Sequence, residues 1–136
     1  MAEYSQIVRT MRCRHRVRVH KWRTGMSGSA WQVQYLNGRC LRWIEAPFPR
    51  SPVSLSIFLH EIGHHVIGFD RFKQRCEEEY HVWNWALKEM HKLGVEPDDR
   101  VLNRYRLSMQ YAVGKALRRG LKTLPSHLRQ FEPEAA

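Results

Sequence analysis

The sequence predicts an α+β fold, with an N-terminal antiparallel β-sheet or hairpin followed by a three-helix segment. Three observations predict it. Polar and apolar residues alternate through residues 12–20 and again through 31–45, the period of strands with one buried face. Beyond Pro49 that period is lost, and Ser51-Pro52, Gly68, Gly94, Pro97-Asp98-Asp99 and Gly120 stand where helices start and stop. A length of 136 residues, 43% hydrophobic and 26% charged, suits one domain spanning 1–136 and not a disordered chain. Residues 1–50 are mainly strands, 51–120 helices and 121–136 a C-terminal tail.

Arg12, Arg14, Arg16, Arg18 and His20 fall at every second position with Cys13, Val17 and Val19 between them. This predicts a strand over 12–20 with one cationic and one apolar face. A Gly/Ser-rich stretch, 25–29, breaks it. Trp31, Val33 and Tyr35 then alternate with Gln32 and Gln34, and Asn37-Gly38 predicts a hairpin turn. The return strand runs over 39–45 and stops at Ala46-Pro47-Phe48-Pro49, because proline has no N–H for the ladder. Ser51 caps a first helix with Pro52 in its first turn, and Gly68 ends it. A second helix spans about 75–92 and stops at Gly94. A third begins near Asp98-Asp99, whose charge suits the positive helix end, and runs to about Arg119. Gly114 inside it costs about 1 kcal/mol relative to alanine. Residues 132–136 are expected to fray.

The charge balance is strongly positive. Lys and Arg number 23 against 13 acidic residues, a net charge of +10, and residues 1–59 hold ten bases and two acids. Polyanionic partners are favoured by such a balance. The basic run 12–23 with Trp22 could track a phosphate backbone, or it could be a solvated edge protected by charge. Arg100, Arg104, Arg106, Lys115, Arg118, Arg119 and Lys122 give the third helix a second cationic surface with the same two readings. Cys13, Cys40 and Cys76 are odd in number and lack CxxC spacing, so neither a disulfide framework nor a cysteine zinc ribbon is expected. No basic stretch followed by an apolar one opens the chain, and charged and histidine residues interrupt 53–69. The expectation is a cytoplasmic protein without membrane contact.

His60-Glu61-Ile62-Gly63-His64 carries the chemistry. Histidines four apart lie one turn apart on one helix face, so both imidazoles can reach one metal ion. Glu61 is then placed to contact a water on the metal and take its proton, as in zinc peptidases. Chance yields this motif in about 3 of 100 shuffled sequences of this composition. Apolar Phe58, Leu59, Ile62, Val66 and Ile67 around it are what a buried active-site helix requires.

Catalytic zinc needs a third protein ligand, and Asp70, Glu77, Glu78, Glu79 and His81 are the candidates. Asp70 has the spacing of a short metzincin-like motif, but Ile67 stands where that motif needs glycine. On the second helix Glu77, Glu78 and His81 share a face. His65 points about 100° away from His64 and reads as a flank residue. His15, His20, His91 and His127 lack partner spacing, and Trp83 and Trp85 read as core.

The stretch 54–68 together with 76–86 resembles small phage- and mobile-element-associated metallopeptidases, compact relatives of the ImmA/IrrE-type zinc peptidases. That resemblance implies a minigluzincin-like α+β core, a Zn2+ cofactor, a protein substrate and a glutamate as third ligand, in a Glu-Ala-x-x-aromatic-Ala pattern. Setting Trp85-Ala86 on the aromatic-Ala pair puts His81 on the glutamate position, which implies a site of His60, His64 and His81. A histidine third ligand also resembles the SprT/Spartan-type DNA-associated proteases, although Val82 stands where those have glycine.

Two function classes follow. The first is a zinc metallopeptidase with Glu61 as general base. The second is a nucleic-acid or protein-binding module with a structural or vestigial zinc. An intact Glu61 favours the enzyme, because a structural ion has no use for a general base.

Overall fold

The computed structural model describes residues 3–133. The fold is α+β, with a three-stranded sheet and most of the helices following it. It differs from expectation first at the N-terminus. Residues 12–15, predicted as the start of a strand, form the last turn of helix α1 (Tyr4–His15), whose Ile7, Val8 and Met11 are buried at helical spacing. Arginine at every second position imitates a strand, but arginine is also a good helix former, and the three apolar residues upstream set the period. Arg16, at φ 54°, closes α1 in the left-handed conformation and turns the chain into β1 (Val17–Arg23).

β2 (Ser29–Gln34) and β3 (Cys40–Pro47) form the expected hairpin around Leu36-Asn37-Gly38. Tyr35 N–H donates to the Arg39 carbonyl at 2.7 Å, and Gly38 takes φ 89°. The sheet order is β1-β3-β2, with β2 antiparallel to β3 and β1 parallel to it. The sheet is therefore mixed, and the expected all-antiparallel arrangement is corrected. Alternation shows which face of a strand is buried but not which neighbour it pairs with.

One consequence is positional. Because β3 lies between β1 and β2, the connection 24–28 must cross the end of β3. A second is a register shift between Val19 and Lys21 that re-aims β1. After it Trp22 turns to the core, 4.9 Å from Phe48 and 6.0 Å from Phe58 between ring centroids. Trp22 is thus partly buried against the core.

Helices α2 (Pro52–Ile67), α3 (Arg75–Lys92) and α4 (Asp99–Arg118) match the predicted spans closely. Ser51 and Ser54 form a reciprocal capping box, Gly68 at φ 99° ends α2, and Asp98 accepts from Val101 N–H at 3.0 Å to cap α4. A short 3-10 helix, Ser126–Phe131, follows. The expected fray at 132–136 lies in part outside the described residues. α2 is buried on nearly every side: Leu55, Phe58, Leu59 and Ile62 pack with α1, the sheet and α3. A second apolar cluster joins Cys76 and Trp83 of α3 to Met109 and Val113 of α4 and to Leu128 and Phe131. Among the described residues no helix is long and apolar enough to cross a membrane.

Candidate metal centre

Two helices build the site, α2 with His60, Glu61 and His64, and α3 with Glu78 and Glu79. Gly63 lets them approach. A Cβ there would stand 3.0 Å from Val82 Cγ1 and 3.1 Å from Trp85 Cε3, so even alanine would require these side chains to give by a few tenths of an ångström. At this separation the Glu79 carboxylate lies between the two imidazoles. His60 Nε2–H donates to Glu79 Oε2 at 2.8 Å, and His64 Nε2 is 3.2 Å from Glu79 Oε1. His60, His64 and Glu79 each offer one donor atom, and these lie within 4.8 Å of one another.

The surroundings orient the donors. His64 is buried and its Nδ1–H donates to Glu78 Oε2 at 2.9 Å. With Nδ1–H committed to Glu78, Nε2 is the His64 ring atom turned toward Glu79 Oε1, and Glu78 fixes the ring in that orientation. Donors about 2.0–2.1 Å from a tetrahedral zinc are about 3.3 Å apart, so the separations at Glu79 need little adjustment. The residues present fit a zinc ion.

Charge points the same way. Glu61, Glu78 and Glu79 converge on two imidazoles, with Arg75 Nη2 3.3 Å from Glu79. Burial alone pulls the His60 imidazole down, but hydrogen bonds and charge from Glu61 and Glu79 outweigh it and raise its pKa to about 9. Burial alone would raise Glu79, yet its contacts with His60 and His64 hold it well below the usual carboxylate range. The His60 imidazole and the Glu79 carboxylate thus stabilise each other as an ion pair.

Glu61 stands outside the donor set, with Oε2 3.5 Å from His60 Nδ1. It is 6% exposed because Gly28, in the connection that crosses the end of β3, lies against it. A Cβ on Gly28 would come 2.7 Å from both Glu61 Oε2 and the Glu45 carbonyl oxygen. Arg104 of α4 donates to the Met26 carbonyl and so ties this connection down beside the site.

His81, expected as the third donor, does not join the group. Its ring stacks on Phe72 at 4.6 Å, and its Nε2 is 3.3 Å from Glu77 Oε2. Glu77 also has His127 Nε2 at 2.8 Å, so it ties the last helix to α3. The reason is helical geometry: positions 79 and 81 are about 200° apart around α3. The face of α3 turned to α2 carries Glu78, Glu79, Val82, Trp83 and Ala86, and the Trp83 ring lies 4.7 Å from that of His60. The signal in the sequence is Trp83, one turn beyond Glu79, where the register on Trp85 selects His81 instead. His65, read as a flank residue, accordingly binds the Trp43 carbonyl at 2.9 Å and anchors α2 to the sheet. Asp70 is not part of the cluster.

The chain matches no known protein family, no curated protein and no solved structure.

Proposed function

We propose that the protein is a zinc-dependent peptidase in which His60, His64 and Glu79 hold the ion and Glu61 is the general base. The observation that carries this reading is the division of labour among the carboxylates. Glu79 reaches Nε2 of both histidines, Glu78 orients His64, and Glu61 is beside them without being a donor. A glutamate third donor agrees with the ImmA/IrrE-type resemblance, whereas the SprT/Spartan-type likeness needs His81.

Bound zinc would act as a Lewis acid on the scissile carbonyl and lower the pKa of the attacking water. Glu61 takes the proton of that water as it attacks, and returns it to the leaving amine. His64 keeps its ring orientation throughout, because Glu78 holds its Nδ1–H. Arg75 offsets part of the negative charge of Glu78 and Glu79 from the solvent side.

The test is hydrolysis of a fluorescein-labelled unfolded casein by zinc-loaded protein, compared with Glu61→Gln. The variant is expected to bind zinc equally and to lose at least about a hundredfold in turnover. Cleavage by Glu61→Gln at the wild-type rate would remove the general-base assignment. A second reading, a binding module with a structural zinc, is favoured by one observation: the backbone of Gly28 packs onto Glu61 and leaves it nearly buried. Zinc-loaded wild-type protein that cleaves nothing would select that reading.

A further inference from the structure

A groove of about 920 Å3 runs beside the metal centre, between α4, the start of α3 and Val53 of α2. Its wall carries six cations, Lys73, Arg75, Arg100, Arg104, Lys115 and Arg119, and one carboxylate, Glu79 of the donor set. Among the described residues, Arg75 is the only one of the six paired to an acid. On α4 these cations are not scattered. Arg100, Arg104, Ser108, Ala112, Lys115 and Arg119 follow one another at three- or four-residue steps and form a single stripe. Apolar side chains interrupt the stripe, with Leu107 and Tyr111 both exposed.

We propose that this groove binds a polypeptide segment rich in acidic side chains and leads it to the metal centre. That this segment is the substrate rests on the peptidase reading. Charge complementarity sets the sign of the ligand: a row of unpaired cations in a partly enclosed wall attracts carboxylates and repels basic segments. The alternation of cations with Leu107, Tyr111 and Val53 suits a chain that presents acidic and apolar side chains together. A single-stranded nucleic acid would satisfy the charge, but such grooves stack successive bases on successive aromatic side chains. Here Tyr111 is the one aromatic ring in the wall.

The size also fits a peptide. From Arg100 to Arg119 the stripe is about 28 Å long at 1.5 Å per residue, the reach of about eight extended residues. Glu79 lines the same groove, so a segment lying along α4 reaches the carboxylate that stands between the two imidazoles.

The experiment uses zinc-loaded Glu61→Gln protein, so that binding is read without cleavage. Fluorescence anisotropy follows a labelled peptide of about eight residues in which Glu and Leu alternate, the same peptide with Gln for Glu, and an oligothymidylate of similar reach. The acidic peptide should bind at least about tenfold more tightly than the Gln peptide, with an affinity that falls as salt rises. Each exposed ion pair is worth roughly 1.4- to 5-fold, so Arg100→Ala, Lys115→Ala and Arg119→Ala together should weaken it on the order of tenfold. The double variant Arg100→Lys, Arg119→Lys keeps the charges and should retain most of the affinity, which separates charge from damage to the fold. Equal affinity for the two peptides would overturn the proposal. So would tighter binding of the oligothymidylate, lost in the same triple variant. Failure of the peptidase reading is seen separately, as absence of cleavage by the wild-type protein whatever the peptides bind.

Discussion

Glu79 and His81 stand two positions apart on α3 and face different neighbours, Glu79 the two imidazoles and His81 the Phe72 ring. Their substitution should separate them cleanly. Glu79→Ala is expected to weaken zinc binding by orders of magnitude, Glu78→Ala by about 10- to 100-fold, and His81→Ala hardly at all, in competition with a chromophoric chelator. A large loss in His81→Ala with none in Glu79→Ala would restore the three-histidine site. His60, held by the Glu61 and Glu79 carboxylates, also has a pH signature in the metal-free protein. The His60 pKa is about 9 in the folded chain against 6.5 for free histidine, so its contribution to stability is fully present below about pH 6.5. It is lost as pH rises through 9. The depressed Glu79 describes the same contact from the acid side, where the contribution is present above the ordinary carboxylate pKa and lost as pH falls through the folded value. The melting temperature of the metal-free chain should therefore fall between about pH 6.5 and 9, and Glu79→Gln should reduce that slope, with Glu61 carrying the rest. An equal slope in the variant would show that Glu79 does not hold the proton.

At the scale of elements, the connection between β1 and β2 is decided by strand order. Since β3 lies in the middle of the sheet, residues 24–28 pass over its end and bring Gly28 against Glu61. The glycine is required by close approach and not by a turn. A methyl group there would meet a backbone oxygen at 2.7 Å as well as the Glu61 side chain, so the connection itself must move. Gly28→Ala should therefore keep zinc and lower turnover at least about tenfold, since a shift of about 1 Å at reacting groups has effects of that size or larger. Wild-type turnover in this variant would show that the connection moves aside freely. α2 and α3 are coupled in a different way. Their separation at Gly63 places Glu79 between the histidines, so the helix–helix contact and the donor geometry are one feature.

For the whole molecule, the candidate metal centre lies between two apolar clusters that both use α3. One cluster joins α1, the sheet, α2, α3 and Val101 at the start of α4, and the other joins α3, the rest of α4 and the last helix. Metal donors from α2 and α3 should therefore reinforce the fold as a unit. At a free zinc concentration a hundred times Kd, binding adds about 2.7 kcal/mol to stability, which for a chain of this size is a rise of melting temperature on the order of 10 °C. The rise should vanish in a His60→Ala, His64→Ala double variant. An undiminished rise there would place the bound zinc elsewhere.

The α+β class, the spans of α2, α3 and α4, the hairpin, and the placing of His60 beside His64 are all legible in the chain's local residue pattern. Each is a local matter of caps, turn residues or the helical period, which neighbours a few positions away settle. Helix α1 was equally legible in Ile7, Val8 and Met11, but the stronger alternation of Arg12, Arg14, Arg16 and Arg18 masked it. Tertiary structure alone decided that β1 runs parallel to β3, that Gly28 lies on Glu61, and that α3 turns Glu79 and not His81 toward the histidines. Those three depend on which element packs against which and at what rotation. Helical spacing says which residues share a face, while the close approach of α3 at Gly63 selects the face that meets the metal centre.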